Sequence, residues 1–201
     1  TWTHMLGGGD NRVLVVALAA EDDSESDLAI ASVKYDNVEM NLVSGSSVTV
    51  GTGTKVKTVL YYLLEEDLPE PGYHTVAVLY AANDVAQRLG GSISRANVAQ
   101  QAPEAVVTNS NTGQDTISTN ITTVTANAWV VDVVACDAKG SFSTTTGGMT
   151  ERWDVSGDEE DSTAAGATKS PASAGLTTMS WSYSSGANML AHSIAAFETL
   201  D

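Results

Sequence analysis

The sequence predicts an all-β protein, an antiparallel two-sheet β-sandwich of the jelly-roll type, with a single domain over residues 1–201. Three observations support this prediction. About ten short segments alternate apolar and polar side chains and are separated by turn residues. Two largely apolar runs, Arg12 to Ala20 and Trp129 to Cys136, are rich in Val and too short for buried helices. No segment alternates strand and helix patterns, which argues against an α/β fold.

The two apolar runs form the predicted core. Arg12 to Ala20 follows a Gly-rich turn and precedes an acidic loop, so we expect a strand that is buried on both faces, with Trp129 to Cys136 as its partner. Cys136 is the single cysteine, and a buried free thiol behaves as a small apolar side chain. The residues expected to be largely buried are Val15, Trp129, Val131 and Trp181.

Shorter strands surround this core. Trp2 to Met5 is predicted as the first strand, with alternate side chains on its two faces. Leu28 to Tyr35 and Val38 to Val43 are predicted to form a hairpin. They are separated by Asp36-Asn37, a dipeptide that tolerates the positive φ of a tight turn.

The remaining segments are less regular. Asn83 to Leu89 is the only segment with helical character, and Gly90-Gly91 ends it. The stretch from Asp137 to Gly175 is too long for one structureless loop in a compact domain, so we expect a strand near Met149 to Val155. No internal repeat is visible in the sequence.

The charge balance limits the possible partners. The net charge is −16, from 9 Lys and Arg against 25 Asp and Glu, and such a chain repels nucleic acid and anionic membranes. Solubility and a salty or cation-rich habitat explain the acid excess equally well. No apolar run reaches the roughly 18 residues of a membrane span, so membrane insertion is not expected. The chain starts at Thr1 without a signal peptide, as expected for a processed product.

Several motifs are shared with a known type of module. They are Trp2-Thr3-His4 followed by Gly9 to Val16, Val33 to Asp36, Leu60 to Leu63, Pro71-Gly72 with His74 to Val76, and Thr177 to Trp181. With these motifs most of the chain resembles a widespread bacterial and phage β-sandwich module, described as lectin-like or jelly-roll. The resemblance implies a secreted or virion protein. Family members usually have a further β segment before the Trp-Thr-His motif, at which this sequence begins.

Few residues suggest catalysis. His4, His74 and His192 lack the local spacing of a zinc site, and hydrogen-bonded strand histidines are the favoured interpretation. His4 and His192 could approach each other if the first and last strands were neighbours. Asp132 interrupts an apolar strand, and a buried acid needs a partner. The favoured explanation for Asp132 is that its face of the strand is only half covered.

Other catalytic patterns are also missing, so we expect no enzymatic activity. Glu65-Glu66 forms a potential carboxylate pair, but it lies in a Pro-bounded turn where solvated acids are ordinary. There is no Gly-x-Ser-x-Gly elbow, and Gly51-Thr52-Gly53 does not continue into a phosphate loop. A hydrolase with dispersed carboxylates is a third and weaker possibility.

Calcium is the only cofactor that the sequence suggests. Two acidic segments are dense in the hard oxygen ligands that calcium prefers, although neither has the spaced pattern of a calcium loop. A solvated run of charges is the alternative. The candidate ligands are Asp22, Asp23, Asp158 and Glu160.

Two features bear on carbohydrates. Asn120-Ile121-Thr122 is a glycosylation sequon, with Asn120 as the acceptor. Trp153 and Tyr73 fall in or beside predicted loops, where an aromatic ring can stack on a sugar.

The sequence therefore favours a non-catalytic structural protein, extracellular or part of a virion, that associates with copies of itself through sheet edges. Such a protein forms filaments, appendages or capsids. The predicted assembly segment is the first strand, because an unpaired edge is a template for another chain's strand. Its residues are Trp2, Thr3, His4 and Met5. The alternative is a carbohydrate-binding module with glycan partners.

Overall fold

The structure is a computed structural model, and it describes residues 1–22, 28–81, 85–157, 162–184 and 186–200. Within these ranges the chain forms seventeen β-strands and a short 3-10 turn at Glu65–Asp67. Every strand pair is antiparallel. The predicted all-β sandwich with antiparallel sheets is confirmed.

The first half of the chain forms two sheets. Its strands are β1 (Trp2–Leu6), β2 (Val13–Asp22), β3 (Ile30–Tyr35), β4 (Val38–Glu39), β5 (Asn41–Leu42), β6 (Val48–Val50), β7 (Lys55–Leu64), β8 (Gly72–Tyr80) and β9 (Gln87–Arg95). The first outer sheet has the order β1-β8-β3-β4. The first central sheet has the order β5-β7-β2-β9, and β6 also pairs with β7.

The second half forms two more sheets. Its strands are β10 (Ala105–Thr112), β11 (Thr116–Thr123), β12 (Trp129–Cys136), β13 (Phe142–Thr144), β14 (Thr150–Ser156), β15 (Thr163–Lys169), β16 (Gly175–Tyr183) and β17 (Met189–Phe197). The second central sheet has the order β10-β17-β12-β15-β14. The second outer sheet has the order β11-β16-β13.

Three apolar cores lie between these four sheets. Leu14 and Val76 belong to the core between the first outer and first central sheets. Val15 and Val131 meet in the core between the two central sheets. Trp181 belongs to the core between the second central and second outer sheets. The protein is thus a stack of four layers, whereas the sequence predicted two.

The four layers explain why the two apolar runs have no polar face. Every residue of β2 and of β12 is buried, because each central sheet is covered by an outer sheet on one face and by the other central sheet on the opposite face. The expected burial of the first run on both faces is therefore confirmed, and Trp129 to Cys136 lies in the core as expected. The four predicted core residues are at most 3% exposed, namely Val15, Trp129, Val131 and Trp181.

The two halves repeat one topology. In the outer sheets β1-β8-β3 corresponds to β11-β16-β13, and in the central sheets β7-β2-β9 corresponds to β15-β12-β17. The fold therefore contains an internal repeat, although none is visible in the sequence. The spacing between equivalent strands shrinks along the chain, from 114 positions between Trp2 and Thr116 to 102 between Gln87 and Met189. A repeat without a fixed period leaves no periodic signal in the sequence.

Local predictions have mixed outcomes. The hairpin between β3 and β4 turns at Asp36 and Asn37, whose φ angles are 47° and 71°, and β14 lies where the strand near Met149 to Val155 was expected. The helical interpretation of Asn83 to Leu89 is wrong for its end, because Gln87 already belongs to β9. Asn83 lies outside the described residues.

Candidate functional site

The predicted assembly segment lies at the edge of the first outer sheet. It forms β1, which pairs with β8 on one side only among the strands of the described chain. Thr3 and Met5 face outward, and Met5 is 60% exposed beside its cross-strand neighbour Tyr73, which is 74% exposed. Trp2 and His4 are half-buried. The structure thus places all four predicted residues on one edge strand.

The half-buried side chains of β1 bind it to β9. Trp2 Nε1 donates a hydrogen bond of 2.9 Å to Ser92 Oγ. The two ring nitrogens of His4 lie 3.0 Å from Ser92 Oγ and 3.1 Å from Ser94 Oγ. Burial of the His4 ring lowers its pKa, which favours the neutral form that both serines can satisfy. These bonds hold the outer edge strand over the edge of the central sheet.

The edge of the first central sheet is β9 itself. β9 pairs with β2 along its whole length, and no strand in the described part of the chain pairs with its other side. The equivalent strand of the second half, β17, is covered on that side by β10, from Ala105 opposite Ala196 to Thr112 opposite Met189. Among the described strands, the first half therefore has an unpaired main-chain edge where the second half has a strand.

Two tryptophans pack against β9 from opposite sides. Trp2 of β1 lies over Gly90, where an added Cβ would be 3.3 Å from the indole. Trp153 of β14 lies over Gly91 so closely that a Cβ there would collide with its ring. Trp153 also covers Gly166 of β15, at 2.6 Å from a hypothetical Cβ. Gly91 is required for the close approach of the Trp153 ring to the backbone, whereas a Cβ at Gly90 would first meet Ala17 O and Leu18 Cδ2, both at 2.9 Å.

Cavities lie along β9 where β10 would be expected from the repeat. One of about 320 Å³ lies between β1, β9 and β14, and another of about 450 Å³ lies between β9, β14 and β15. We call the space along the unpaired side of β9, between β1 and β14, the β9 groove. Its lining includes Trp2, Leu89, Gly90, Ile93, Ser94, Arg95, Arg152 and Val155.

The larger cavity is cationic. Arg95, Arg152 and Lys169 line it, which are three of the 9 basic residues of the chain. Arg152 Nε donates a hydrogen bond of 2.8 Å to Thr168 Oγ1, and Lys169 Nζ donates one of 2.9 Å to the Thr178 carbonyl. Burial lowers the pKa of Lys169. Sequence reasoning missed this cluster, because its members lie on three different strands.

A second polar cluster is fully buried between the second central and second outer sheets. Asp132 Oδ2 lies 3.0 Å from His192 Nε2 and accepts a hydrogen bond of 2.8 Å from Trp181 Nε1. Asp132 Oδ1 accepts a hydrogen bond of 2.7 Å from the Ala167 N–H. Thr119 Oγ1 lies 2.9 Å from His192 Nδ1. The expectation that the Asp132 face is half covered is wrong, because β16 and β11 cover it completely.

This cluster has the acid, imidazole and hydroxyl order of a catalytic triad, but it has no access to a substrate. Asp132 and His192 have no exposed surface, and Thr119 is 4% exposed. A carboxylate can only accept hydrogen bonds, so His192 donates to Asp132 from Nε2. We conclude that the cluster joins two sheets. His4 is bound elsewhere, to Ser92 and Ser94, so the structure does not bring it to His192.

The proposed carboxylate pair is divided between two roles. Glu65 forms an ion pair with Arg12 and accepts a hydrogen bond of 2.6 Å from the Arg12 main-chain N–H. Hydrogen bonding from Arg12 is the main cause that lowers the pKa of Glu65. Glu66 is exposed. Both carboxylates line one surface cavity of about 310 Å³, but only Glu65 is bound to Arg12.

The calcium and glycosylation candidates are only partly described. Asp22 ends β2 and is 3% exposed, whereas Asp23, Asp158 and Glu160 lie outside the described residues. Among the described residues no three His, Cys, Asp or Glu side chains form a group that could hold a metal ion. Asn120 is exposed on β11, and its side-chain oxygen accepts a hydrogen bond of 2.7 Å from Thr178 Oγ1.

The two aromatic candidates for sugar stacking differ. The ring of Trp153 is used in packing over Gly91 and Gly166, so it offers no free face there. Tyr73 is exposed on the first outer sheet.

In the described part of the chain, no helix is long and apolar enough to cross a membrane. No protein-family model matches the chain, and no curated protein or solved structure matches it.

Proposed function

We propose that this protein is a non-catalytic structural subunit, extracellular or part of a virion, that self-associates by strand addition. A neighbouring copy contributes an extended segment, and the segment enters the β9 groove. The observation that carries this proposal is the internal repeat. The position beside β17 is filled by β10, while the equivalent position beside β9 has no strand among the described residues.

The second half illustrates how a strand in this position is held. β10 pairs with β17 through main-chain hydrogen bonds over eight residue pairs. Its Asn109 and Asn111 side chains donate to the carbonyls of Ser118 and Thr116 on β11, at 3.1 and 2.7 Å. One strand is therefore bound by the main chain of a central sheet and by the edge of an outer sheet.

The β9 groove offers the same elements. β9 supplies a main-chain edge that no described strand pairs with, and β1 forms one wall as β11 does in the second half. Addition of an extended segment to a sheet edge is an established mode of association, in which main-chain hydrogen bonds supply affinity. In this arrangement Trp2 and His4 act as wall residues that keep β1 over the groove.

Contact between a groove and a segment elsewhere on the next copy is head-to-tail. Such contacts give a ring when the rotation closes and an open helix when it does not. The product is therefore a closed oligomer or a filament, as expected for an appendage or capsid-type subunit.

The test is to block the groove without touching the core. Val155 lines the smaller cavity and is 36% exposed, whereas Val124 is 68% exposed and lies outside the groove. Val155→Trp fills the space that an incoming strand needs, and we expect a folded monomer by sedimentation velocity. Val124→Trp should still assemble. A wild-type chain that sediments as a monomer at high concentration contradicts the proposal.

A carbohydrate-binding function is the second candidate, and one observation favours it. The Tyr73 ring is 74% exposed beside Met5 on the outer sheet, where a flat aromatic surface can stack on a sugar ring. Glycan-array binding that is lost in Tyr73→Ala would support this function. A wild-type chain that binds no glycan on the array contradicts it.

A further inference from the structure

The β9 groove differs from its counterpart in the second half at one place. Val15 pairs with Ile93, and the equivalent Val131 pairs with Ala195, so Ile93 occupies the place of Ala195. Opposite Ala195 lies Val106 of β10. A segment bound along β9 in the manner of β10 therefore places one residue opposite Ile93, in the position of Val106.

The surroundings of that position are apolar in the second half. Val106 packs on the core between the two central sheets, together with Tyr62 and Leu64 of β7. Its Cγ1 lies 4.0 Å from the position of a hypothetical Cβ on Gly45. A valine suits this place because apolar atoms surround it.

The equivalent surroundings in the first half are cationic. The cavity of about 450 Å³ beside Ile93 is lined by Arg95, Arg152 and Lys169. Arg95 Nη1 donates a hydrogen bond of 2.9 Å to Ser170 Oγ. In the described part of the chain, neither Arg152 nor Lys169 has a carboxylate within 4.0 Å.

The cations that line this cavity favour an anion beside them. The chain has 25 Asp and Glu against 9 Lys and Arg, yet three of those 9 line one cavity. Like charges in a partly enclosed site repel each other, and an opposite charge within about 4–6 Å reverses that effect. Arg also binds a carboxylate through two parallel hydrogen bonds.

We infer that the segment entering the β9 groove comes from a second copy of this chain and carries an Asp or Glu opposite Ile93, bound by Arg152 and Lys169. The inference rests on the proposed strand addition and adds the chemistry of the incoming segment. A second copy fits this requirement, because the chain has a net charge of −16. Arg95 lines the same cavity and donates a hydrogen bond to Ser170 Oγ.

The experiment compares two peptides that differ in one residue. One has the sequence of residues 104–113, which contains β10, and the other is the same peptide with Val106→Glu. Binding of each to the wild-type chain is measured by fluorescence anisotropy, below the concentration at which the chain self-associates. We expect the Glu peptide to bind at least tenfold tighter, with an advantage that shrinks as salt is raised.

Matched variants identify the cations. The tenfold advantage should disappear in the double variant Arg152→Gln with Lys169→Gln and remain in Lys139→Gln, which removes an exposed charge outside the groove. Equal binding of the two peptides, tighter binding of the Val106 peptide, or no binding of either overturns the inference. An advantage that survives in the double variant also overturns it.

Sedimentation of the full chain separates this inference from the proposed function. Wild-type chains that assemble, together with peptides that bind equally, overturn the acidic segment and leave strand addition standing. Wild-type chains that remain monomeric overturn self-association itself, whereas the peptide comparison still decides what the groove prefers. In assembling chains the double variant should raise the dissociation constant at least tenfold relative to Lys139→Gln.

Discussion

Asn11 and Asn127 adopt the same left-handed backbone conformation, with φ angles of 54° and 55°, two residues before the buried strands β2 and β12. Asn tolerates this region better than most residues, because its short polar side chain bonds locally. The equivalence fixes the alignment of the two halves, so that Val15 corresponds to Val131. The alignment is what makes β9 the counterpart of β17.

The first prediction concerns the packing of Trp153 on β9. Gly91→Ala places a methyl group in the indole ring, and the backbone or the ring must shift. Overpacking of this kind costs roughly 1–3 kcal/mol. We expect that loss in the free energy of unfolding, measured by chemical denaturation. The β9 groove should also widen or close, so self-association should weaken in the same variant.

Gly53→Ala is the matched control. Gly53 has no atom within 4 Å of a hypothetical Cβ, and its φ is not in the left-handed region. We expect a change within about 0.5 kcal/mol for this substitution, as for ordinary surface positions. Equal stability of the two alanine variants would show that Trp153 does not constrain β9.

The second prediction concerns the buried carboxylate of Asp132. Asp132→Asn keeps the shape of the side chain but replaces one carboxylate oxygen by an amide nitrogen, which cannot accept a hydrogen bond. That nitrogen must face at least one of the N–H donors of Trp181, His192 and the Ala167 main chain. Leaving a buried hydrogen-bonding group without its partner costs about 1–3 kcal/mol, and more where a charged group was the partner. We expect a loss of that size in the free energy of unfolding by denaturant titration.

The exposed Asp67→Asn serves as the control for this loss. It removes the same charge from the chain without touching a buried group, so we expect little change. A loss below 1 kcal/mol for Asp132→Asn would contradict the structural role of the cluster.

Much of the fold could be predicted because it depends on local patterns. An apolar run without a polar face predicted the doubly buried strand β2, and Asp36-Asn37 predicted the tight hairpin turn. Trp2 to Met5 was predicted as a strand and forms the edge strand β1. The number of layers was not predictable from these patterns, because a doubly buried strand does not indicate what covers each face.

The features of the site depend on contacts between distant residues. Arg95, Arg152 and Lys169 meet only because β9 packs beside β14 and β15, and no spacing in the sequence joins them. Gly90-Gly91 did carry a signal. Paired glycines inside a strand indicate close approach of another group to the backbone, but here they suggested the end of a helix.

The last prediction concerns pH. The carboxylate of Glu65 accepts hydrogen bonds from the Arg12 side chain. The main-chain N–H of Glu65 donates a hydrogen bond of 2.7 Å to Gln100 Oε1, which lies in the segment that joins the two halves. The pKa of Glu65 is lowered from its ordinary value of 4.5, mainly by hydrogen bonding from Arg12. The unfolded chain therefore takes up this proton at a higher pH than the folded chain does. The contribution of Glu65 to stability is complete at neutral pH, begins to fall as the pH drops towards 4.5, and is lost as the pH passes below the folded pKa.

The variant Glu65→Gln isolates this contribution. The Glu65 side chain is 34% exposed, so we expect a loss of only about 1–2 kcal/mol at pH 7 after allowing for solvent screening. Thermal denaturation of wild type and variant should converge as the pH falls from 4.5, because protonated Glu65 no longer carries the charge that Arg12 binds. The exposed Glu66→Gln should follow the wild-type curve throughout. A difference between Glu65→Gln and wild type that stays constant from pH 7 to below 4 would show that the ion pair does not stabilise the fold through its charge.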